Sequence, residues 1–110
     1  MLVRVFIKRQ IKEGKEREFF ALIRKLRALA TEQEGYVSGE TLVSLEEPRK
    51  MMVTSSWESM EDWLAWKEND QRKEIDSKLE ELQEASTMYD PFVLSKYRIS
   101  VQRGFEDYSG

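Results

Sequence analysis

The chain has 110 residues, of which 40% are hydrophobic and 35% charged, and its net charge is −3. This fits one globular domain with a single core, and the 11% of aromatic residues argues against a disordered chain. The sequence contains no cysteine and no histidine, which excludes disulfides, thiolate zinc sites, histidine-ligated haem and histidine general bases. A metal would need carboxylate oxygens alone, and we expect neither a metal nor a cofactor.

The charge pattern and the apolar stretches bear on partners and location. Acidic and basic residues are interspersed, so there is no basic stripe to follow the phosphates of a nucleic acid. The apolar stretches are far shorter than the ~20 residues that cross a bilayer, and cations stand near the N-terminus, where a signal peptide would be apolar. We therefore expect a cytoplasmic protein that binds neither nucleic acid nor membrane.

The first two predicted elements are a strand and a helix. Alternation of side chains predicts a strand over residues 2–8. Its more apolar side, which we expect to face the helices, is formed by Val3, Val5 and Ile7. Apolar residues at helical spacing from Phe19 onward predict a helix over residues 15–34, and Gly35 is a plausible stop.

A hairpin and a broken helix follow. Two strands, over residues 36–45 and 50–57, are separated by a short polar turn and form the hairpin. Ser59 is a predicted N-cap, and the helix after it continues to about residue 83 with a break or kink at Asn69 and Asp70. Trp57, at the end of the third strand, is expected to pack between strand and helix.

The last predicted strand covers residues 92–100, after the pair Asp90-Pro91. The order is then β-α-β-β-α-β, and right-handed crossovers put both helices on one face of a four-stranded antiparallel sheet. The predicted fold class is therefore α+β, ferredoxin-like. The domain is expected over residues 1–102, followed by a tail over residues 103–110 that has no periodic pattern.

The other face of this sheet also carries apolar residues, among them Leu2 and Phe6 on the first strand. An apolar patch of that kind is typical of an interface. A second copy related by a two-fold axis is the simplest cover, so we expect a homodimer through the open sheet face. The alternative is a monomer whose C-terminal tail covers this face.

The order of elements and two runs of residues resemble the antibiotic biosynthesis monooxygenase (ABM) domain of the dimeric α/β-barrel superfamily. The first run is SWESMEDWLAW, residues 56–66, where a strand opens directly into a helix. The second is QEGYVSG, residues 33–39, before the second strand. The resemblance covers about residues 1–100.

The resemblance implies a pocket between the helices and the sheet. Some members of the family oxidise quinols or anthrones with dioxygen and no cofactor, and others degrade haem. Aligned on Gly14, the asparagine, tryptophan and histidine of the haem branch fall on Ile7, Trp66 and near Asp76, so only the tryptophan matches. Haem degradation is therefore not expected. Many members also have a histidine nine residues after the tryptophan that ends the third strand, and here that position is Trp66.

On this resemblance the pocket is expected to take a small aromatic ligand. Trp66 would form a wall, and Ile7, Val5 and Phe19 an apolar lining. Hydroxyl contacts would come from Asn69 and Tyr97, with Tyr36 and Tyr89 as further tyrosines that offer a hydroxyl. Candidate bases are few: Asp70 or Asp76, if burial raises the pKa of either carboxyl group. The alternatives are structural, with Asn69 and Asp70 as helix-capping residues and Trp66 as core.

Two functions fit these expectations. The first is a cofactor-independent monooxygenase acting on a small aromatic or quinol-like compound with dioxygen. The second is a non-catalytic dimeric small-molecule-binding or stress-response domain on the same scaffold. A roomy pocket with convergent polar groups favours the first, and a space filled by tryptophan side chains favours the second.

Overall fold

A computed structural model describes residues 1–94 of the chain. Its elements, in chain order, are β1 (Val3–Gln10), α1 (Glu16–Ala30), β2 (Tyr36–Val43), β3 (Lys50–Trp57), α2 (Met60–Lys67), α3 (Asp70–Glu81) and β4 (Met88–Val93). No helix in this part of the chain is long and apolar enough to cross a membrane.

The four strands form one antiparallel sheet in the order β2-β3-β1-β4. The predicted ferredoxin-like α+β order is confirmed, with the second helical region divided into α2 and α3. The register places Ile7 of β1 between Val53 of β3 and Tyr89 of β4. Residues directly opposite each other in an antiparallel ladder share a face, so these three side chains lie on one side of the sheet.

The helices cover the face of the sheet that the alternation in β1 predicts. Val3, Val5 and Ile7 are buried, and so is Arg9, the next residue on that face. One core cluster joins the strand residues to Trp57, Trp63 and Trp66. A second cluster joins the other end of the sheet to α1 and α3, and its buried members are Ile11, Phe19, Ile23, Met51, Ile75, Leu79 and Leu82. Trp57 is fully buried, as predicted.

Side-chain caps set the start of α2 and of α3. The Ser59 hydroxyl accepts a hydrogen bond from the backbone N–H of Asp62 at 3.1 Å, which confirms the predicted N-cap. At the predicted break, the Asn69 side-chain oxygen accepts from the backbone N–H of Arg72 at 3.0 Å and begins α3. Because Asn69 has an extended conformation, one helix becomes two.

An exposed ion pair spans the same junction. The Lys73 ammonium lies 2.6 Å from the Glu68 carboxylate. The hydrogen bond and the charge of Lys73 lower the pKa of Glu68, and the same contact raises the pKa of Lys73. Both side chains face solvent, so screening by water leaves this pair a minor contribution to stability.

The last strand lies earlier in the chain than predicted. It covers Met88–Val93 instead of residues 92–100, and residues 95–100 lie outside the described part of the chain. Asp90 and Pro91 had indicated a loop, but both lie inside β4, with Pro91 opposite Val5. Because β4 is hydrogen-bonded only to β1 among the described strands, a proline that lacks an N–H is tolerated there. The predicted domain end at residue 102 and the tail over residues 103–110 also lie outside the described residues.

Candidate functional site

A cavity of about 50 Å³ lies between α1 and the sheet. Its apolar lining comes from both layers and consists of Ile7, Ile23, Leu26, Ala30 and Val53. Trp66 and the buried Arg9 and Arg72 also line it. The exposed residues Arg27 and Glu40 are lining residues too, so the cavity reaches the surface between α1 and β2.

Trp66 packs against Trp57, which packs in turn against Trp63. Its ring lies 6.3 Å from that of Trp57, with an angle of 25° between the planes. Trp57 is in turn 6.2 Å from Trp63. The aromatic cluster fixes the Trp66 indole, which presents a flat, rigid surface to the cavity.

Arg9 is the most constrained polar residue of the site. It is 3% exposed, and its Nη2 lies 2.9 Å from Oδ1 of Asp76. Its Nη1 donates to Gln83 Oε1 at 2.9 Å and to the Thr87 hydroxyl at 3.0 Å. Within residues 1–94 its Nε has no hydrogen-bond partner. A buried N–H without a partner is uncommon in proteins and is a point at which a ligand oxygen would be favourable.

Arg72 is also buried, at 4% exposure, but its partners are uncharged. It donates to the backbone carbonyl of Lys67 at 3.2 Å and to the Tyr89 hydroxyl, and its guanidinium lies 5.4 Å from the centre of the Tyr89 ring. No carboxylate of residues 1–94 forms an ion pair with it. The Tyr89 hydroxyl lies 3.5 Å from Asp76, which links the two arginines through one carboxylate.

The mouth of the cavity is crossed by Arg27 of α1. Its guanidinium donates to the backbone carbonyl of Gly39 and, at 3.1 Å, to the Thr41 hydroxyl, both on β2. The Tyr36 hydroxyl lies over Gly39, where it would overlap the Cβ of any other residue. A flexible arginine and a tyrosine hydroxyl therefore border the opening.

The predicted apolar site residues divide into two groups. Ile7 and Trp66 line the cavity. Val5 and Phe19 are fully buried in the two core clusters and are not among the lining residues. The chain thus brings Ile7 and Trp66 together at the cavity, while Val5 and Phe19 pack in the core.

The predicted polar site residues are dispersed. Asn69 caps α3, Asp70 is exposed in the first turn of that helix, and Asp76 is engaged by Arg9. Tyr97 lies outside the described residues. No group of three or more carboxylates within residues 1–94 is arranged to hold a metal ion.

The sequence interpretation did not identify Arg9, Arg27 and Arg72 as site residues. For Arg9 a signal was present, because the alternation of Val3, Val5 and Ile7 continues to residue 9 on the inward face. Because the predicted strand ended at residue 8, Arg9 was not assigned to the inward face. Arg72 is one of several charged residues in a polar helix, and only the tertiary structure distinguishes it.

Comparison with known proteins identifies the family. The model of the family described as "Antibiotic biosynthesis monooxygenase" (ABM) matches residues 2–86. A 42.8 kDa protein in the whiE locus of Streptomyces coelicolor is 33% identical over 69 residues, which are 63% of this chain and 17% of that protein. The chain therefore spans less than a fifth of the length of this relative.

Solved structures show the same fold. A conserved protein from Methanosarcina mazei Go1 has a TM-score of 0.80 and 25% identity, covering 84% of this chain and 91% of that one. SnoaB, a cofactor-independent oxygenase from Streptomyces nogalater, has a TM-score of 0.78 at 14% identity, covering 87% and 95%. The match of the family model to most of the described residues shows that this chain belongs to the antibiotic biosynthesis monooxygenase family.

Proposed function

We propose that this protein is a cofactor-independent monooxygenase that oxidises a small aromatic or quinol-like compound with dioxygen. Membership of the ABM family supports a monooxygenase-type function in general. The observation that carries the more specific proposal is the cavity itself, where the Trp66 wall and an apolar lining meet two buried guanidinium groups. Such a site combines an aromatic surface with buried positive charge.

The reaction needs no redox group from the protein. A deprotonated quinol or anthrone gives one electron to dioxygen, and the radical and superoxide combine into a peroxide on the ring carbon. Loss of water from the hydroperoxide leaves a carbonyl. One oxygen atom enters the product, the other leaves as water with the two hydrogens lost by the substrate, and no external reductant is consumed.

The site would contribute orientation and electrostatics. Trp66 would hold the ring flat, and Ile7 and the neighbouring apolar residues would exclude water. The guanidinium of Arg72 would stabilise the oxyanion of the deprotonated substrate and the developing peroxide. Asn69 and Tyr97 stay proposed hydroxyl contacts. The side-chain oxygen of Asn69 is used for capping, so its amide N–H groups would serve.

Three other proposed roles follow the placement of the residues. Val5 and Phe19 would support the lining from the core behind it. Asp76 stays a candidate base, and its ion pair with Arg9 holds the carboxylate in position. Asp70, exposed on α3, would act only on a substrate group that reaches the surface.

Oxygen consumption tests the proposal. We expect oxygen uptake with a quinol or an anthrone, and a decrease in kcat/KM of about 100-fold in Trp66→Leu, because loss of the flat wall misplaces the ring. An oxygen electrode measures both. Leu64→Ala, on the exposed side of the same helix, is the control and should retain full activity. Absence of uptake with every quinol and anthrone would contradict the proposal, and an unaffected Trp66→Leu would contradict the site.

The size of the cavity favours a second candidate, a non-catalytic small-molecule-binding or stress-response domain. About 50 Å³ is well below the roughly 150 Å³ of an apolar cavity that binds benzene. An aromatic ring must therefore lie partly in the mouth, with Arg27 displaced. Saturable binding of a quinol without oxygen uptake would support this candidate over the monooxygenase.

A homodimer through the open face of the sheet is part of the proposal. Phe6 and Phe92 pack edge to face on that side, with ring centres 5.3 Å apart. Phe92 is 53% exposed, and Leu42, on the same face, is 44% exposed. Burying this apolar surface against a second copy would remove it from water.

Sedimentation velocity tests the dimer. We expect the intact chain to sediment as a dimer, and Phe92→Asp to shift it to a monomer because a carboxylate would be buried in the interface. Leu64→Asp is the matched control, since Leu64 is 46% exposed but lies on α2, away from the open face. A monomeric wild-type chain, or a dimer equally weakened by both substitutions, would contradict the proposed interface.

A further inference from the structure

The two buried arginines, Arg9 and Arg72, give the cavity positive charge that a neutral ligand would not balance. Asp76 contacts Arg9 directly and reaches Arg72 only through the Tyr89 hydroxyl. Glu80 approaches Arg9 only through the Thr87 hydroxyl. Arg72 is thus a buried cation whose direct partners are a carbonyl and a phenol. Charges buried in proteins are normally paired, so an anion beside it would be stabilised.

Among residues 1–94, no buried carboxylate lines the same cavity in a position to deprotonate a substrate. Glu40 is the acidic residue among its lining residues. Glu40 is exposed, lies opposite Thr54 on the outer face of the sheet, and accepts a hydrogen bond from the Thr54 hydroxyl at 3.5 Å. Asp76 already accepts from Arg9. A substrate that arrives deprotonated would need neither carboxylate as a base.

We propose that the site takes its substrate as an anion, an already ionised phenol or enol, and that Arg9 and Arg72 select the ionised form. This inference rests on the site of the proposed function and names its substrate class. Arg9 would offer the Nε hydrogen that has no partner within residues 1–94, and Arg72 a buried charge that contacts no carboxylate directly in that part of the chain. A guanidinium forms charge-assisted hydrogen bonds with either form of a phenol, but only the ionised form adds the attraction between opposite charges.

The dimensions fit an oxyanion better than a whole ring. About 50 Å³ holds an oxygen atom and part of a ring edge. The rest of the ring would lie against Trp66 and extend into the mouth, where Arg27 now bridges to Gly39 and Thr41. The guanidiniums need no rearrangement on binding, because Asp76, Gln83 and Thr87 hold Arg9, and the Lys67 carbonyl and Tyr89 hold Arg72. Preorganised donors of this kind favour an anion at low cost.

The test uses 4-nitrophenol, whose ionised form absorbs visible light, so the pKa of the bound phenol can be read directly. With the intact protein in excess, we expect that pKa to fall by about one unit, which corresponds to tenfold tighter binding of the phenolate than of the neutral phenol. The uncharged analogue 4-nitroanisole should bind at least about tenfold more weakly than the phenolate. Arg72→Met should abolish the preference. Arg24→Met removes an exposed charge from α1 and should retain it.

Several outcomes would overturn the inference. They are a bound phenol whose pKa is unchanged or raised, no saturable binding at millimolar concentration, or equal effects of Arg72→Met and Arg24→Met. The comparison of phenolate and anisole uses the wild-type chain, so it decides the question even if Arg72→Met fails to fold. Oxygen uptake from a neutral quinol without a pKa shift would leave the monooxygenase intact and refute the anionic substrate. A pKa shift without any oxygen uptake would support binding of an anion and refute the monooxygenase.

Discussion

Replacement of Asp76 by alanine is expected to lower the free energy of unfolding by about 3 kcal/mol, because it leaves a buried guanidinium without its carboxylate. The Arg9 side chain is almost entirely buried and its distance to the carboxylate is 2.9 Å. Its bonds to Gln83 and Thr87 would persist, but neither partner carries charge. Denaturation in urea, followed by circular dichroism, measures the change.

Two controls separate charge burial from general damage to α3. Glu68→Ala breaks the exposed contact with Lys73 and should cost less than about 1 kcal/mol. The double variant Arg9→Met with Asp76→Leu removes both charges and should recover most of the loss, because the desolvation cost disappears with the pair. Equal losses in Asp76→Ala and Glu68→Ala would show that the buried pair has no special role.

Replacement of Gly35 by alanine is expected to cost about 3 kcal/mol. Gly35 has φ +83°, where a side chain is strained by roughly 1–2 kcal/mol. An added Cβ would also overlap the Asp62 carboxyl group. That carboxyl group accepts from the Ser59 hydroxyl at 2.9 Å as part of the α2 cap, so it cannot move without loss of the bond. The same urea experiment measures this change.

Gly14→Ala is the matched control for this substitution. Gly14 also has φ +83°, but a Cβ there would meet no atom within 4 Å. Its alanine variant should therefore show the backbone strain alone, about 1 kcal/mol. If the two variants lost the same stability, the contact between Gly35 and the start of α2 would contribute nothing.

Much of the fold was predictable because the local signals agreed with each other. The alternation of Val3, Val5 and Ile7 gave the buried face of β1, and Ser59 gave the start of α2. The error at β4 has a physical origin. Proline usually marks a loop, and its tolerance on an edge strand depends on where the strand lies in the sheet, which is a property of the whole fold.

The site was less predictable than the fold. Trp66 and Ile7 were assigned to a pocket by family resemblance, and both line the cavity. Arg72 could not be found in this way, because its burial depends on contacts with Lys67 and Tyr89 that only the folded chain brings together. Charged residues in a polar helix normally face water, so the sequence pattern favoured the wrong environment for this one.

The central position of β1 has a consequence for synthesis of the protein. β1 is made before both of its partners, β3 on one side and β4 on the other, and Val3 lies opposite both Trp57 and Val93. One edge of β1 can pair once β3, which ends at Trp57, has been made, but the other edge stays unpaired until β4, which ends at Val93, has been made. An open, half-apolar strand is a template for pairing with other chains. This protein should thus be most prone to aggregate during synthesis, when several ribosomes on one messenger RNA hold incomplete chains close together.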